Sequence, residues 1–504
     1  MILLKNLSKL TTSHLPIAQA VHKLFHAKNR PTPAAKSLVT IGTLVYFLIL
    51  IASISLSSLT VIQVILNYLN YEVTTTSRTI HEAPALFPKI TFCNWNLFTT
   101  EKSIDFLKKI NAQLYPNMSI FDRDQMKHLS QPEKSTLMNA IFQNAISQAR
   151  YNLSLFEKQQ LGHRLDDILL RCSFDNQPCS AKDFTWSFDQ IDGNCFTFNS
   201  GYEEDKEDTG RRKKVPLKKS NIAGWTFGLN VMLYAKFHEN LIEFNSYTGD
   251  GLGIYLDVGN SSTGLSSHDF GGIYISPGYL TNVVLTRTFK YMLPKPYSNC
   301  LIDDESFDAT SYELVDLVTK SSYKYTNEVC LEQCYQKLLI EKCKCVNQWF
   351  LTLFNVTEDC SLTLKTNDCM NDFYAIAFNS SDAAIIDACG LECPLECNIT
   401  EISSSLSYIG SIGDLGADLI KANKNLSADF VTTRIDAASA RQSIVQLCVY
   451  YNSLTYSLST ETPQINFVSL LADIGGNLGL FLGVSTFTLC EMIEILIRIF
   501  VLND

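Results

Sequence analysis

Two long apolar runs bracket a chain whose middle alternates between helical and strand-like patterning. No charged residue occurs between Ser37 and Tyr71, and Leu38 to Leu66 reads LVTIGTLVYFLILIASISLSSLTVIQVIL. As a helix this run reaches roughly 40 Å, against roughly 30 Å of bilayer hydrocarbon, so it predicts a tilted first transmembrane helix over 38–66. It is too long, and starts too far from the amino terminus, for a cleaved signal peptide. The second run is Ile474 to Cys490, extended by Met492 to Leu502. Glu491, Glu494 and Arg498 interrupt it, unlike a removable lipid-anchor tail, and the pattern predicts a second span over 464–499.

The block between the spans, 67–463, changes period three times. From Glu101 to Leu170, runs such as IDFLKKINAQL and LMNAIFQNAISQA are helical. From Cys172 to Met292, segments such as CFTFN, FGLNVMLYAKF and NVVLTRTFKYM are strand-like, with aromatic and β-branched residues between glycines and asparagines. From Asn327 to Cys397 the pattern is helical and rich in cysteine, and Val445 to Ser457 reads as a strand returning to the second span. The expected fold class is membrane α+β, two transmembrane helices flanking a large disulfide-rich domain.

Charge orients this arrangement. Lys5, Lys9, Lys23, Lys28, Arg30 and Lys36 precede the first run with no acid among them, which predicts a cytoplasmic 1–37. Two spans return the chain to the cytoplasm for 500–504, so 67–463 is extracellular and the protein is expected to be multi-pass in the plasma membrane. The net charge of −10 argues against nucleic acid as a partner. Fifteen of the sixteen cysteines lie between Cys93 and Cys448. Zinc fits them poorly, because the dense cluster from Cys300 to Cys397 has no histidine and recurs as C-x3-C; disulfides in an oxidising compartment fit better, and no metal site is expected. Sequons at Asn117, Asn152, Asn260, Asn355, Asn379, Asn398 and Asn425 occupy the same stretch and are candidate glycosylation sites.

Cys330 and Cys334 share a helix face, and Cys389, Cys393 and Cys397 repeat that spacing. Two antiparallel helices with such faces can be joined as ladder rungs, Cys330–Cys393 and Cys334–Cys389 being natural choices, with Cys345–Cys360 and Cys343–Cys369 nested in the turn. Spacing alone does not fix the connectivity. Two charged stretches, the EEDKED run at 203–208 with its following basic residues and Asp303, Asp304, Glu305 and Asp308, read first as solvated loops.

The second span carries most of the chemistry. Gly475, Gly479 and Gly483 recur every four residues, a small face on which helix backbones approach closely. Asp473 lies on the outer side, Ser485 follows the last of these glycines closely, and Glu491 and Glu494 lie deeper, three apart. In a symmetric oligomer each becomes a ring. Acidic rings concentrate cations, and a Gly-x-Ser constriction offers carbonyls and hydroxyls to a partly dehydrated ion. Two glutamates on an isolated helix in lipid would be unsatisfied, so the pattern implies assembly around water.

At these residues the chain resembles the degenerin/epithelial sodium channel superfamily, which includes the acid-sensing and peptide-gated channels. The similarity runs in order through FPKITFCNWN (Phe87 to Asn96), CSFDNQPCSAKDF and GNCFTFN (Cys172 to Asn199), LPKPYSNC (Leu293 to Cys300), YTNEVCLEQC, CKC and CGLECPLEC, and ends on LLADIGGNLGLFLGVS, the most specific match. The resemblance implies a trimer, homomeric or formed with related subunits in a lipid bilayer, with finger, thumb, palm, knuckle and β-ball regions, the thumb at about 300–397. It implies seven disulfides, Cys93–Cys195, Cys172–Cys179, Cys300–Cys397, Cys330–Cys393, Cys334–Cys389, Cys343–Cys369 and Cys345–Cys360, leaving Cys448 and Cys490. It puts the selectivity filter on Gly483, Val484 and Ser485, and the position where bulk holds the gate open on Ala472, near the amiloride site. Gating roles carry over to His14, Tyr71 and Tyr297. Three positions depart from the family pattern: Leu15 stands for glycine after His14, Val484 is larger than usual, and Glu72 replaces the histidine that proton-gated members carry before Val73.

The function so implied is an amiloride-sensitive-type sodium channel subunit, gated by an extracellular stimulus with a proton or a peptide as candidate ligand; mechanical force and constitutive opening stay open beside these. No cofactor is expected; sodium enters as the permeant ion. The alternatives are a non-conducting or accessory two-span receptor subunit and an ATP-gated channel, whose motifs are absent. No nucleophile–base constellation or phosphate loop points to an enzyme.

Overall fold

The computed structural model describes residues 33–189, 192–204, 212–241, 251–259, 272–302, 312–321, 324–347, 350–356, 358–377, 384–411, 413–483 and 485. The chain forms two units, Met1–Thr74 with Pro463–Asp504, and Thr75–Thr462.

In the first unit, helix α1 spans Pro33–Leu69, beyond the expected 38–66 at both ends. Within it Ile41–Leu69, 29 residues, is long and apolar enough to cross a bilayer. Two of its polar side chains are satisfied locally: the Ser58 hydroxyl donates to Ile54 O at 2.8 Å and that of Thr60 to Ser57 O at 3.0 Å. The helix stops where Tyr71 takes a left-handed backbone, φ 52°.

Among the described residues the second unit contains two large sheets, two two-stranded ladders and two helical regions. In chain order its main elements are β1 (Val73–His81), β2 (Lys89–Asn94), α2 (Glu101–Leu114), α3 (Gln131–Asn152), β3 (Leu169–Phe174), β4 (Phe184–Asp189), β5 (Gly193–Phe198), β6 (Leu229–Tyr234), β7 (Ile254–Gly259), β8 (Ile273–Ile275), β9 (Tyr279–Tyr291), α4 (Asn327–Cys343), α5 (Leu364–Ala377), α6 (Ala384–Glu392), β10 (Asn398–Gly410), α7 (Asp414–Ala422) and β11 (Ile444–Pro463). One sheet runs β10–β9–β11–β6–β3 and ends on the short strand Gln177–Pro178, with β1 also on β11. The other runs β8–β7–β2–β5–β4. Strands β9 and β11 are parallel, and their register jumps from Leu285↔Tyr451 to Arg287↔Tyr456, so β11 bulges between these pairs.

Both sheets contribute to one core, in which Phe87, Phe92, Phe196 and Phe198 meet Phe174, Leu229, Leu233, Val449 and Tyr451. Phe87 is fully buried, with its ring centroid 4.9 Å from that of Phe174 and 5.8 Å from that of Tyr451. A second core fills the helical region after β2. There α2 buries Ile104, Leu107 and Ile110 against Met138, Ile141, Ala145 and Ala149 of α3, the i, i+3, i+4 spacing that a half-buried helix needs. Ser130 and Glu133 close a capping box at the start of α3.

The cysteine-rich region has small cores in which sulfur replaces much of the aliphatic bulk. The structure contains Cys330–Cys393, Cys334–Cys389, Cys343–Cys369, Cys345–Cys360 and Cys300–Cys397 there, and Cys93–Cys195 and Cys172–Cys179 in the sheets. The C-x3-C repeat is not helical throughout. Helix α6 ends at Glu392, so Cys393 and Cys397 lie beyond it; Pro394 disfavours helical backbone at the residue before it. The stretch from Asn398 to Arg441, for which the sequence pattern suggested nothing, holds the long strand β10 and three short helices. Cys448 is buried and free, and burial pushes its thiol up to about 12; Cys490 lies outside the described residues.

Replacing Phe87 with alanine is expected to cost about 3–5 kcal/mol. Denaturant unfolding of the full chain, followed by tryptophan fluorescence, measures this against wild type.

Candidate pore segment

Strand β11 gives way to helix α8, Phe467–Leu482, after a three-residue link. The Gln464 N–H donates to Glu72 O at 2.9 Å, and Asn466 caps the helix by accepting from the Ser469 N–H at 2.7 Å. Helix α8 packs against α1. The less exposed positions of α1, including Ser53, Ser57, Thr60, Val61, Val64 and Tyr68, recur at three and four residues, and Ser57 is only 2% exposed. Leu470 is the buried residue of α8.

The helix ends where one continuous span over 464–499 was expected. Gly483 takes a left-handed backbone, φ 65° and ψ 19°, and its N–H closes on Gly479 O at 3.0 Å. Gly475, Gly476 and Gly479 weaken the helix by about 1 kcal/mol each relative to alanine, and at Gly483 glycine alone enters the left-handed region without steric cost. Gly483 and Ser485 thus sit past the end of α8 rather than on it, and Ser485 is exposed. Val484, Glu491 and Glu494 lie outside the described residues, as does His14.

At 3.6 residues per turn, Ala472, Gly476 and Gly479 fall on one stripe of α8 that leads to Gly483 at its end, and Gly475 stands beside it. Gly476 is the member that the four-residue spacing passed over. Ala472, Asp473, Gly475 and Gly476 are exposed, and a Cβ at Gly475 or Gly476 would meet no atom within 4 Å. Among the described residues no neighbour therefore requires glycine at 475 or 476. The surrounding face is apolar and open, with Val468, Leu471 and Leu480 each more than half exposed. Tyr71 closes α1 in this unit; Tyr297 belongs to the other, where its N–H donates to Pro294 O at 3.1 Å beyond a cis Lys295–Pro296 bond.

The described sequon residues Asn117, Asn152, Asn355, Asn398 and Asn425 are exposed, while Asn260 and Asn379 lie outside the described set. So does the acidic run from Asp303 to Asp308. Among the described residues, burial raises the proton affinity of three acids. Burial pushes Asp257 of β7 up to about 6, against opposing effects of the Val258 N–H and the Lys89 ammonium. Burial likewise raises Asp359, despite Ser147, Arg150 and Tyr151 around it, and raises Glu396. A single acid in an otherwise apolar strand gave no sign of this in the sequence.

A family model described as amiloride-sensitive sodium channel matches residues 20–495. The chain belongs to the amiloride-sensitive sodium channel family. Members are ion channels rather than enzymes, and the disulfide-rich, largely β domain and the apolar amino-terminal helix fit that membership. The chain is 24% identical over 90% of its length to the FMRFamide-activated amiloride-sensitive sodium channel of Cornu aspersum, covering 79% of it. It is 26% identical over 83% of its length to acid-sensing ion channel 1C of Danio rerio, covering 71% of it. Against epithelial sodium channel subunit beta-2 of Xenopus laevis it is 27% identical over 69% of its length, and spans only about half of that relative, 49%. The family match begins after His14.

Two outcomes follow. Asn466→Ala should cost about 1 kcal/mol at the start of α8 and speed exchange of the Val468 and Ser469 amides roughly fivefold by hydrogen-exchange mass spectrometry. For Asp257 the folded value of about 6 exceeds the ordinary 3.8, so the folded state holds the proton more tightly. That contribution is complete at pH below 3.8 and is lost as pH rises through about 6. Asp257→Asn should remove this pH dependence and stabilise the chain at pH above 7 by up to about 3 kcal/mol, read as melting temperature against pH.

Proposed function

We propose that this chain is one subunit of a trimeric plasma-membrane channel that passes sodium, is blocked by amiloride and opens to an extracellular ligand. The observation that carries the reading is the geometry at the end of α8: a stripe of exposed Ala472 and Gly476 and half-buried Gly479 leading to the left-handed Gly483, with Ser485 just beyond. Small residues such as Gly475 and Gly476, which no described neighbour requires, suit close approach of identical helices around an axis. A helix that stops at Gly483 presents backbone carbonyls and the Ser485 hydroxyl where a permeant ion must shed water. In this reading Gly483, Val484 and Ser485 form the filter, Asp473 attracts cations outside it, and Glu491 and Glu494 ring the inner path. Ala472 sits at the gate, and His14, Tyr71 and Tyr297 act in gating. Both termini are cytoplasmic, and the sequon asparagines carry glycans on the extracellular domain.

The relatives' names offer two ligand classes, a peptide and a proton. The replacement of histidine by Glu72 next to Val73 favours the peptide. Partner subunits are the same chain or related ones, since one relative is itself named as a subunit.

Whole-cell recording of this chain expressed alone, in sodium and then potassium, with amiloride, peptide application and pH steps, tests the proposal. Ala472→Phe should raise amiloride-blocked sodium current at least severalfold over wild type without a stimulus. A surface-expressed Ala472→Phe chain that carries no added current would sink the pore assignment and leave a non-conducting, accessory subunit.

A further inference from the structure

Within the extracellular domain a half-open cavity of about 120 Å³ lies among Glu82, Leu86, Phe87, Pro88, Arg287, Phe289, Thr400, Ile402 and Tyr451. Apart from its two charged members and Thr400 the wall is apolar or aromatic. Arg287 is set there by the bulge between β9 and β11, which pairs it with Tyr456 on one side while Ile402 of β10 lies opposite on the other. Its guanidinium carbon stands 4.7 Å from the ring centroid of Tyr451 and 5.5 Å from that of Tyr456, so two aromatic faces hold the cation.

The charge bookkeeping at this residue is lopsided. The Arg287 side chain is 4% exposed, and its Nη1 donates to Glu82 Oε2 at 2.6 Å, but the Glu82 side chain is 39% exposed, so water screens the anion far more than the cation. Nε and Nη2 of Arg287 are buried and have no hydrogen-bond partner among the described residues. These two N–H groups form one edge of the guanidinium, the edge that takes both oxygens of a carboxylate in parallel. A buried donor pair with fixed orientation and no acceptor is costly to fold and is kept cheaply only when something supplies the acceptors.

We propose that this cavity is a binding site for a small monocarboxylate with an apolar body, its two oxygens on Nε and Nη2 of Arg287 and its hydrocarbon part against Phe87, Pro88, Phe289 and Ile402. A bare halide can sit in the same fork but leaves the apolar wall unserved; a dicarboxylate would bury a second charge without a partner. The site lies wholly in the extracellular unit, and its occupancy does not depend on the conduction reading above.

The test is fluorine NMR of 4-fluorobenzoate with the full-length chain in nanodiscs. Wild type should broaden the resonance saturably, and sodium hexanoate should reverse it. Arg287→Lys keeps a cation for Glu82 but removes the paired donors, and should weaken binding at least tenfold. Ile402→Trp fills the cavity with Arg287 intact and should abolish binding; monodisperse elution of both variants shows that they are folded. Absence of saturable broadening with wild type, or unchanged affinity in Arg287→Lys, overturns the site. Displacement by sodium chloride as effective as by hexanoate overturns the carboxylate assignment.

Discussion

The extracellular domain is registered against one strand. β11 is 20 residues long and pairs with β6 on one side, with β9 on the other and with β1 along its later part. Its first half is almost wholly buried, through Ile444, Val445, Leu447, Val449 and Tyr451, and each buried backbone group there needs a ladder partner. The parallel pairing with β9 is the demanding one, because parallel neighbours need a long connection. Here the connection includes the cysteine-rich helices, β10 and α7, so the stapled region is inserted between two strands that must lie side by side.

That insertion explains where the disulfides fall. The cores around α4 to α6 are small, and several of their buried members are the cysteines themselves. A helical region with so few aliphatic side chains gains stability by restricting its unfolded state, which cross-links do. The sheet core needs less of this, since its aromatic cluster around Phe87 already removes a large apolar area from water. The same bulge that interrupts the β9–β11 ladder turns Arg287 toward Glu82 and the tyrosines. A polar group is thus buried where the regular ladder is broken, and the two features have one cause.

Much of this was legible along the chain. The uncharged run from Ser37 to Tyr71 dictates a long helix, since apolar residues over that length have no other way to satisfy their backbone in lipid. Periodicity separated α2 and α3 from the strands that follow, because the two repeats differ almost twofold. The motifs from Phe87 to Ser485 identified the family that the comparison shows. Helix α8 was legible as an apolar segment, but its end was not: glycines at four-residue spacing are compatible with a helix, and only the left-handed turn at Gly483 stops it there.

What the chain determined by itself was therefore local or periodic: the apolar span, the helical and strand-like stretches, the cysteine spacing and the small-residue face. The tertiary structure decided which groups meet across long separations. Glu82 and Arg287, 205 residues apart, and Arg150 and Asp359 pair only because the folded strands and helices bring them together. Asp257 has its raised proton affinity because the folded chain buries it. Such encounters depend on burial and distance in three dimensions, and neither leaves a period in the sequence from which it could be read.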